Sequence, residues 1–282
     1  MFKQQVVFTL TFTHQNLHFT CVDMIEIDVA KVTTDISVSG FVRIGAHAGQ
    51  LTANLLGKVY TSSKAKKIEY GEAVKPRSFY DQTIDLTKQK MTENGFPFSF
   101  NIKDQLSSYQ GHYIHVKWHL IAAFIPKSRL TRKLEATKEV SVLVPQPLPP
   151  SPAKQLYKFD VKWAKCVVKL DSTHTAINEY ITGQLKMIDK KSSVDRIELA
   201  LMRKETVMCI DGKFTERTQI QVLEVASGNV NEASIPFMIP FLPNVVTSTK
   251  IDESYRIEFE ITLQFYFEAG ERRTEFMAIV VA

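Results

Sequence analysis

The sequence predicts an all-β protein of two tandem β-sandwich domains joined by a stiff proline-rich linker. Apolar and polar residues alternate with period two through both halves, a proline cluster divides the chain near its middle, and helical periodicity is scarce. At 282 residues, 44% of them hydrophobic, the chain has room for one large domain or two ordinary ones. Either arrangement can bury a full core without disulfides or metals.

The elements follow in chain order. Val6, Phe8, Leu10 and Phe12 recur at every second position, as on a half-buried strand. Phe96-Pro97-Phe98 sets an apolar pair around a proline, which suits a strand start or an edge, where a missing amide donor costs no ladder bond. Ile114, Val116, Trp118 and Leu120 alternate with His115, Lys117 and His119. Five of the 11 prolines then fall within residues 145–152, in VPQPLPPSP. Proline fixes φ and lacks the amide donor, so this stretch reads as an extended connector rather than as part of a sheet or helix. The division expected is 1–144, a linker at 145–155, and 156–282.

Beyond the linker, Val194–Glu205 fits two periods. Val194, Ile197, Leu201 and Met202 suit a helix, while Ile197, Leu199 and Leu201 suit a strand, so the local pattern leaves both open. Val225–Val230 (VASGNV) reads as a small apolar turn before the Ile235-Pro236-Phe237 strand. In Tyr255–Glu268 every odd position from Tyr255 to Phe267 is apolar or aromatic and the even ones are mostly polar, predicting one buried and one wet face. Phe276–Val281 supplies a closing strand.

Composition narrows the function classes. No apolar run approaches the ~18–20 residues of a membrane span, and the alternating N-terminus MFKQQVVFTLTFTHQNLHF lacks the continuous apolar region of a signal peptide. Cys21, Cys166 and Cys209 are scattered, with no C-x-x-C pair, and no N-x-[ST] sequon occurs. A cytoplasmic location is therefore expected. Residues 1–144 hold 18 Lys+Arg against 12 Asp+Glu, residues 156–282 hold 16 against 18, and Lys154 completes the net +5. That mild asymmetry suits an acidic partner or a lipid surface better than nucleic acid, for which no recognition motif is present.

Nothing in the sequence demands catalysis, a cofactor or a metal. The G-x-S-x-G, Walker, G-x-G-x-x-G and H-E-x-x-H patterns are all absent. His115 and His119 lie ~13 Å apart on a strand, too far to share an ion, and with His112 they read as solvent-facing; His14 and His18 follow a strand pattern and read the same way. Glu258 and Glu260 read as a solvated face. Cys166 and Cys209 have no histidine nearby in sequence. The turn Lys127–Lys133 (KSRLTRK) places Lys127, Arg129, Arg132 and Lys133 between two strand patterns, a cationic tip suited to anionic lipid.

Several stretches together resemble a known family. Residues 109–120 (YQGHYIHVKWHL), the basic turn and Lys138–Val144 (KEVSVLV) resemble the end of the N-terminal domain in the arrestin-like small subunits of the endosomal sorting complexes retromer and retriever. Ile197–Thr206 (IELALMRKET), Thr218–Gln221 (TQIQ), Ser234–Pro236 (SIP) and Tyr255–Glu260 (YRIEFE) are similar to that family in order and spacing. The resemblance covers residues 36–282; TQIQ and YRIEFE lean toward the retriever subunit, Glu271–Arg273 (ERR) toward the retromer one, and the retriever type ranks first.

The resemblance implies a non-catalytic scaffold of two arrestin-like β-sandwiches, with Ile197–Thr206 a strand, peripheral on endosomal membranes. It implies that the C-terminal domain docks on a large α-solenoid subunit through a loop before the Ser-Ile-Pro strand, matched here by Val225, Ala226, Ser227 and Gly228. Sorting nexins or cargo tails would meet other surfaces. Two rivals stand beside it: an arrestin-type receptor or ubiquitin-ligase adaptor, against which the lack of a P-P-x-Y ligand counts, and an unrelated β-sandwich ligand-binding protein.

Overall fold

The computed structural model describes residues 25–29, 37–45, 48–62, 68, 76–127, 132–144, 146–147, 150, 155–161, 164–177, 179–190, 194–228, 234–241, 247–268, 270 and 272–281. The expected strand at Val6–Phe12, together with His14, His18, Cys21 and Arg129, lies outside these residues. All regular structure among the described residues is β-strand. By proximity the chain groups into two compact units, one from Met1–Val59, Pro76–Ser108 and Val116–Val144, the other from Tyr60–Lys75, Tyr109–His115 and Pro145–Ala282.

The first eight strands are β1 (Ile25–Val29), β2 (Ser37–Ile44), β3 (Gly49–Thr61), β4 (Pro76–Asp85), β5 (Phe96–Asn101), β6 (Tyr109–Gln110), β7 (Ile114–Pro126) and β8 (Leu134–Val140). One sheet runs β1-β2-β5, and a second runs β4-β3-β7-β6 with β8 paired to β7. Pro97 lies on β5, an edge of its sheet, where its missing N–H breaks no central ladder. Along β7 the even-numbered residues from Ile114 to Phe124 are buried and the odd ones half-buried, the two-residue period read from the sequence. Trp118, fully buried, joins Leu55, Phe100 and Leu120 in the core of the first unit.

His115 and His119 are half-buried rather than solvent-facing. His115 Nε2 lies 2.9 Å from the Gly111 carbonyl. Burial holds the His119 imidazole below its ordinary value of 6.5, helped by Lys58 and Lys117 and opposed by Glu139. A depressed histidine favours the fold while neutral, so this stability is whole above the unfolded value and falls away as pH drops through the folded one. His119→Gln is therefore expected to flatten the loss of stability between about pH 7 and pH 5, read by urea unfolding.

The remaining strands are β9 (Gln155–Val161), β10 (Ala164–Leu170), β11 (His174–Thr175), β12 (Tyr180–Lys190), β13 (Val194–Cys209), β14 (Gly212–Ser227), β15 (Ser234–Pro240), β16 (Lys250–Ile251), β17 (Tyr255–Phe267) and β18 (Arg272–Val281). They form a four-stranded sheet, β15-β12-β10-β9, and a six-stranded one, β11-β18-β17-β13-β14, with β16 beside β17. Buried residues of both sheets, such as Val168, Leu185 and Ile239 from one and Leu199, Ile261 and Phe265 from the other, supply the core of this unit.

Val194–Glu205, open between helix and strand in the sequence, is strand β13. It forms a hairpin with β14 in which Cys209 opposes Gly212 across Ile210-Asp211. Gly212 adopts φ 112°, a left-handed value that residues with side chains rarely take. The wet face expected along Tyr255–Glu268 is only partly wet, because Glu260, Thr262 and Gln264 are buried as well. Long polar neighbours cover them: Arg217 Nε donates to Glu260 at 2.8 Å, and Lys204 Nζ stands 3.2 Å from Glu258 and 3.5 Å from Glu260.

Candidate functional site

Val225, Ala226, Ser227 and Gly228, the positions that the resemblance implies for docking, fall at the end of β14. Arg196 opposes Ser227, Ile197 opposes Ala226 and Glu198 opposes Glu224, which leaves Val225 as an extra residue in a β-bulge. A second skip leaves Ile220 unopposed, between the Leu201–Gln221 and Met202–Gln219 pairs. Among the described residues β14 is a 16-residue edge strand paired only to β13, and bulges on such an edge bend it and blunt strand-to-strand association.

Val225 to Ser227 are thus the last strand residues of β14 rather than a turn, which corrects the sequence reading; the chain leaves the strand at Gly228. The bulge explains the difference, since the extra residue keeps the ladder going two residues beyond the point where Val225-Ala226-Ser227 looked like a loop. Val225 and Ala226 are half-buried, and Ser227 and Gly228 are exposed. Gly228 has φ 74° and donates its N–H to the Asp195 carbonyl at 2.8 Å, closing the hairpin end. A small apolar step beside an exposed polar shoulder can seat a partner side chain without catalytic chemistry.

The basic turn joins β7 to β8. Lys127, Arg132 and Lys133 are exposed, Lys127 N–H donates to the Ala48 carbonyl at 3.1 Å, and Lys133 Nζ is 2.5 Å from Glu135. One cation of the tip is therefore matched locally by a carboxylate.

A third feature escaped the sequence reading. Glu205 of β13 is 2% exposed. Its Oε1 accepts from the Tyr109 hydroxyl at 3.0 Å, and its Oε2 accepts from the His112 N–H at 2.8 Å. The Arg203 guanidinium lies 3.8 Å from the same carboxylate and over the Tyr109 ring. His112 is not on a strand; its Nδ1 sits 3.3 Å from Glu216 and 3.4 Å from Thr218 Oγ1. Burial, then the Glu205 charge, pushes the Tyr109 hydroxyl far above its ordinary value, so it remains a donor at any accessible pH.

Gly111 completes this cluster, because a Cβ there would fall 1.8 Å from Glu205 Oε1. The cluster pins residues 109–112 to β13 and β14 within the second unit. Its signal lay in the phase of β13: Arg203 and Glu205 continue the inward series Ile197, Leu199, Leu201, and charges at core positions require partners. Cys166 is buried, and burial pushes its thiol up to about 12, so it is inert at neutral pH.

Two all-strand sandwich units with no helix among the described residues make this an arrestin-like β-sandwich protein. Residues 11–269 match the model of the family described as vacuolar protein sorting-associated protein 26, and the chain belongs to that Vps26 family, whose members serve protein transport in endosomal sorting. It is similar to vacuolar protein sorting-associated protein 26C of Dictyostelium discoideum, 26% identical over 264 residues, which span 82% of this chain and 86% of that protein.

Proposed function

We propose that this chain is the non-catalytic adaptor subunit of an endosomal cargo-recycling coat of the retriever type. It works as two sandwich domains, residues 1–144 and 156–282, on either side of the 145–155 linker, cytoplasmic and peripheral on endosomal membranes. The observation that carries the reading is the family match across residues 11–269, and the similarity to a 26C protein favours retriever over retromer. Binding rather than turnover is also in keeping with the buried carboxylate Glu205, whose partners hold a chain segment in place.

In this reading the C-terminal domain docks on a large α-solenoid subunit through Val225, Ala226, Ser227 and Gly228. Support comes from the bulge, which makes Val225 the unpaired residue at the end of a long edge strand. Sorting nexins and cargo tails meet the remaining faces, and Lys127, Arg129, Arg132 and Lys133 form a basic tip toward the membrane.

The test is affinity purification of the tagged protein from its own cells, with the co-purifying chains identified by mass spectrometry. A stoichiometric large α-solenoid partner is expected, and its identity distinguishes retriever from retromer. A preparation holding only receptors and ligases would overturn the reading. Val225→Asp is expected to abolish that co-purification, because a charge at a packed contact costs on the order of 2–5 kcal/mol of binding. Its melting temperature should stay within a few degrees of the parent, Val225 being only half-buried. Equal loss of folding would place Val225 in the core instead.

A further inference from the structure

The outer face of the four-stranded sheet in the second unit carries an arrangement that docking at β14 does not use. Cys166, Val168, Leu170, Leu185 and Met187 of β10 and β12 point into the core. The alternate positions of β9, β10 and β12 therefore face outward, and four of them are lysines: Lys158, Lys165, Lys169 and Lys186. Strand pairing sets Lys158 and Lys186 directly on either side of Val167, while Lys169 lies two residues along β10 from that valine. At strand spacings of ~4.8 Å and ~7 Å per two residues, these three ammonium stems rise from a patch about 10 Å across.

Lys165 is matched by Asp160 at 3.0 Å. Among the described residues no carboxylate pairs with Lys158, Lys169 or Lys186, whereas Lys117, Lys133 and Lys204 each have one. Three like charges held this close without counter-charge repel one another, and an extended anionic surface relieves that repulsion.

Large apolar side chains surround the patch. Leu156 on β9 is 56% exposed, Ile188 on β12 54% and Met238 on β15 53%. Arginine is absent from these outward positions; lysine offers mobile point charges, where arginine offers the planar fork that selects a carboxylate or phosphate partner. Lysines interleaved with exposed apolar tips on a sheet face suit a lipid headgroup layer, in which charges attract and apolar tips insert.

We propose that the outer face of the β15-β12-β10-β9 sheet, centred on Lys158, Lys169 and Lys186, binds the surface of an anionic phospholipid bilayer. The proposal rests on the endosomal reading above only for which membrane is met. It assigns lipid contact to this sheet face of the second unit in addition to the basic turn between β7 and β8.

The test is flotation of the full chain with vesicles of phosphatidylcholine containing about one-third phosphatidylserine, against phosphatidylcholine alone. Binding only to the anionic vesicles, weakening as salt rises, is expected. Lys158→Gln/Lys169→Gln/Lys186→Gln is expected to lower the partition coefficient about 100-fold, at roughly five-fold per charge. Leu156→Ser/Met238→Ser is expected to lower it at low and high salt alike. Lys127→Gln/Arg132→Gln/Lys133→Gln, in the basic tip between β7 and β8, is expected to lower it by a smaller factor than the sheet triple does.

Equal binding to neutral vesicles, or a triple-lysine variant that floats like the parent, overturns the proposal. So does loss of binding confined to the turn variant. Parent chain that ignores vesicles but binds a decaglutamate peptide through the same lysines makes this an acidic-peptide surface instead. If the triple variant fails to fold, the three single substitutions replace it: a loss of about five-fold in each supports the proposal, and no loss in any of them overturns it. Co-purification of the α-solenoid partner is expected to survive the triple substitution, so failure here leaves the docking reading standing and the reverse also holds.

Discussion

Glu205→Ala is expected to destabilise the fold by about 3–5 kcal/mol, the loss typical of removing one member of a buried ion pair. The carboxylate is 2% exposed and receives the Tyr109 hydroxyl and the His112 N–H. Its removal strands the Arg203 guanidinium, itself 6% exposed, with no compensating charge. Arg203 Nε already lacks a hydrogen-bond partner among the described residues, so the guanidinium has little else to turn to. Urea unfolding reads the loss, and hydrogen exchange should show faster exchange at the His112 amide than at amides in the centre of β17.

Two companions separate charge from shape. Glu205→Gln keeps an acceptor for one of the two donors and should lose less than the alanine variant. Arg203→Met/Glu205→Met removes both charges together and should recover much of the loss, since an apolar pair needs no partner. Gly111→Ala drives a Cβ to 1.8 Å from Glu205 Oε1 and 2.8 Å from a Tyr109 ring carbon; it should be destabilising alone and cost less once Glu205 is already alanine, the Tyr109 contact then remaining. A loss below about 1 kcal/mol in Glu205→Ala would mean that the cluster does not hold residues 109–112.

Period-two alternation made the sandwiches legible because it is a local property, visible wherever one face is buried. It located β7 and β17 and, through Pro97 and Pro236, two edge strands. The helix-or-strand choice at Val194–Glu205 stayed open because its residues suit both periods. The signal that resolves it is Asp211-Gly212, a hairpin dipeptide that turns β13 back on itself. The burial of Glu260 and Gln264 was not legible, since it depends on Arg217, Lys204 and Arg272 arriving from neighbouring strands.

Site residues divide the same way. The resemblance pointed to Val225–Gly228 as candidates, but only the register shows that Val225 is a bulge and that the strand continues to Ser227. The Glu205 cluster joins residues 96 positions apart in sequence, beyond the reach of any local pattern. The lysines of β9, β10 and β12 likewise become one patch only when antiparallel pairing sets Lys158 and Lys186 across Val167.

Trp118→Ala is the second large loss, expected at about 3–5 kcal/mol. Trp118 is fully buried in the first unit, with Phe79 edge-on at 5.1 Å and Tyr80 tilted at 5.2 Å between ring centroids. Its Nε1–H donates to the Leu106 carbonyl at 3.0 Å. Alanine forfeits the transfer free energy of the ring, opens a cavity that β-sheet backbone cannot collapse, and leaves the Leu106 acceptor unpartnered. Trp118→Phe keeps most of the volume and isolates the hydrogen bond, so it should cost about 1–3 kcal/mol. Urea unfolding distinguishes these cases. A small loss in Trp118→Ala with a full loss in Glu205→Ala would mean that the first unit repacks around the missing ring, whereas comparable losses would show that an apolar centre in one unit and a polar centre in the other matter equally to stability.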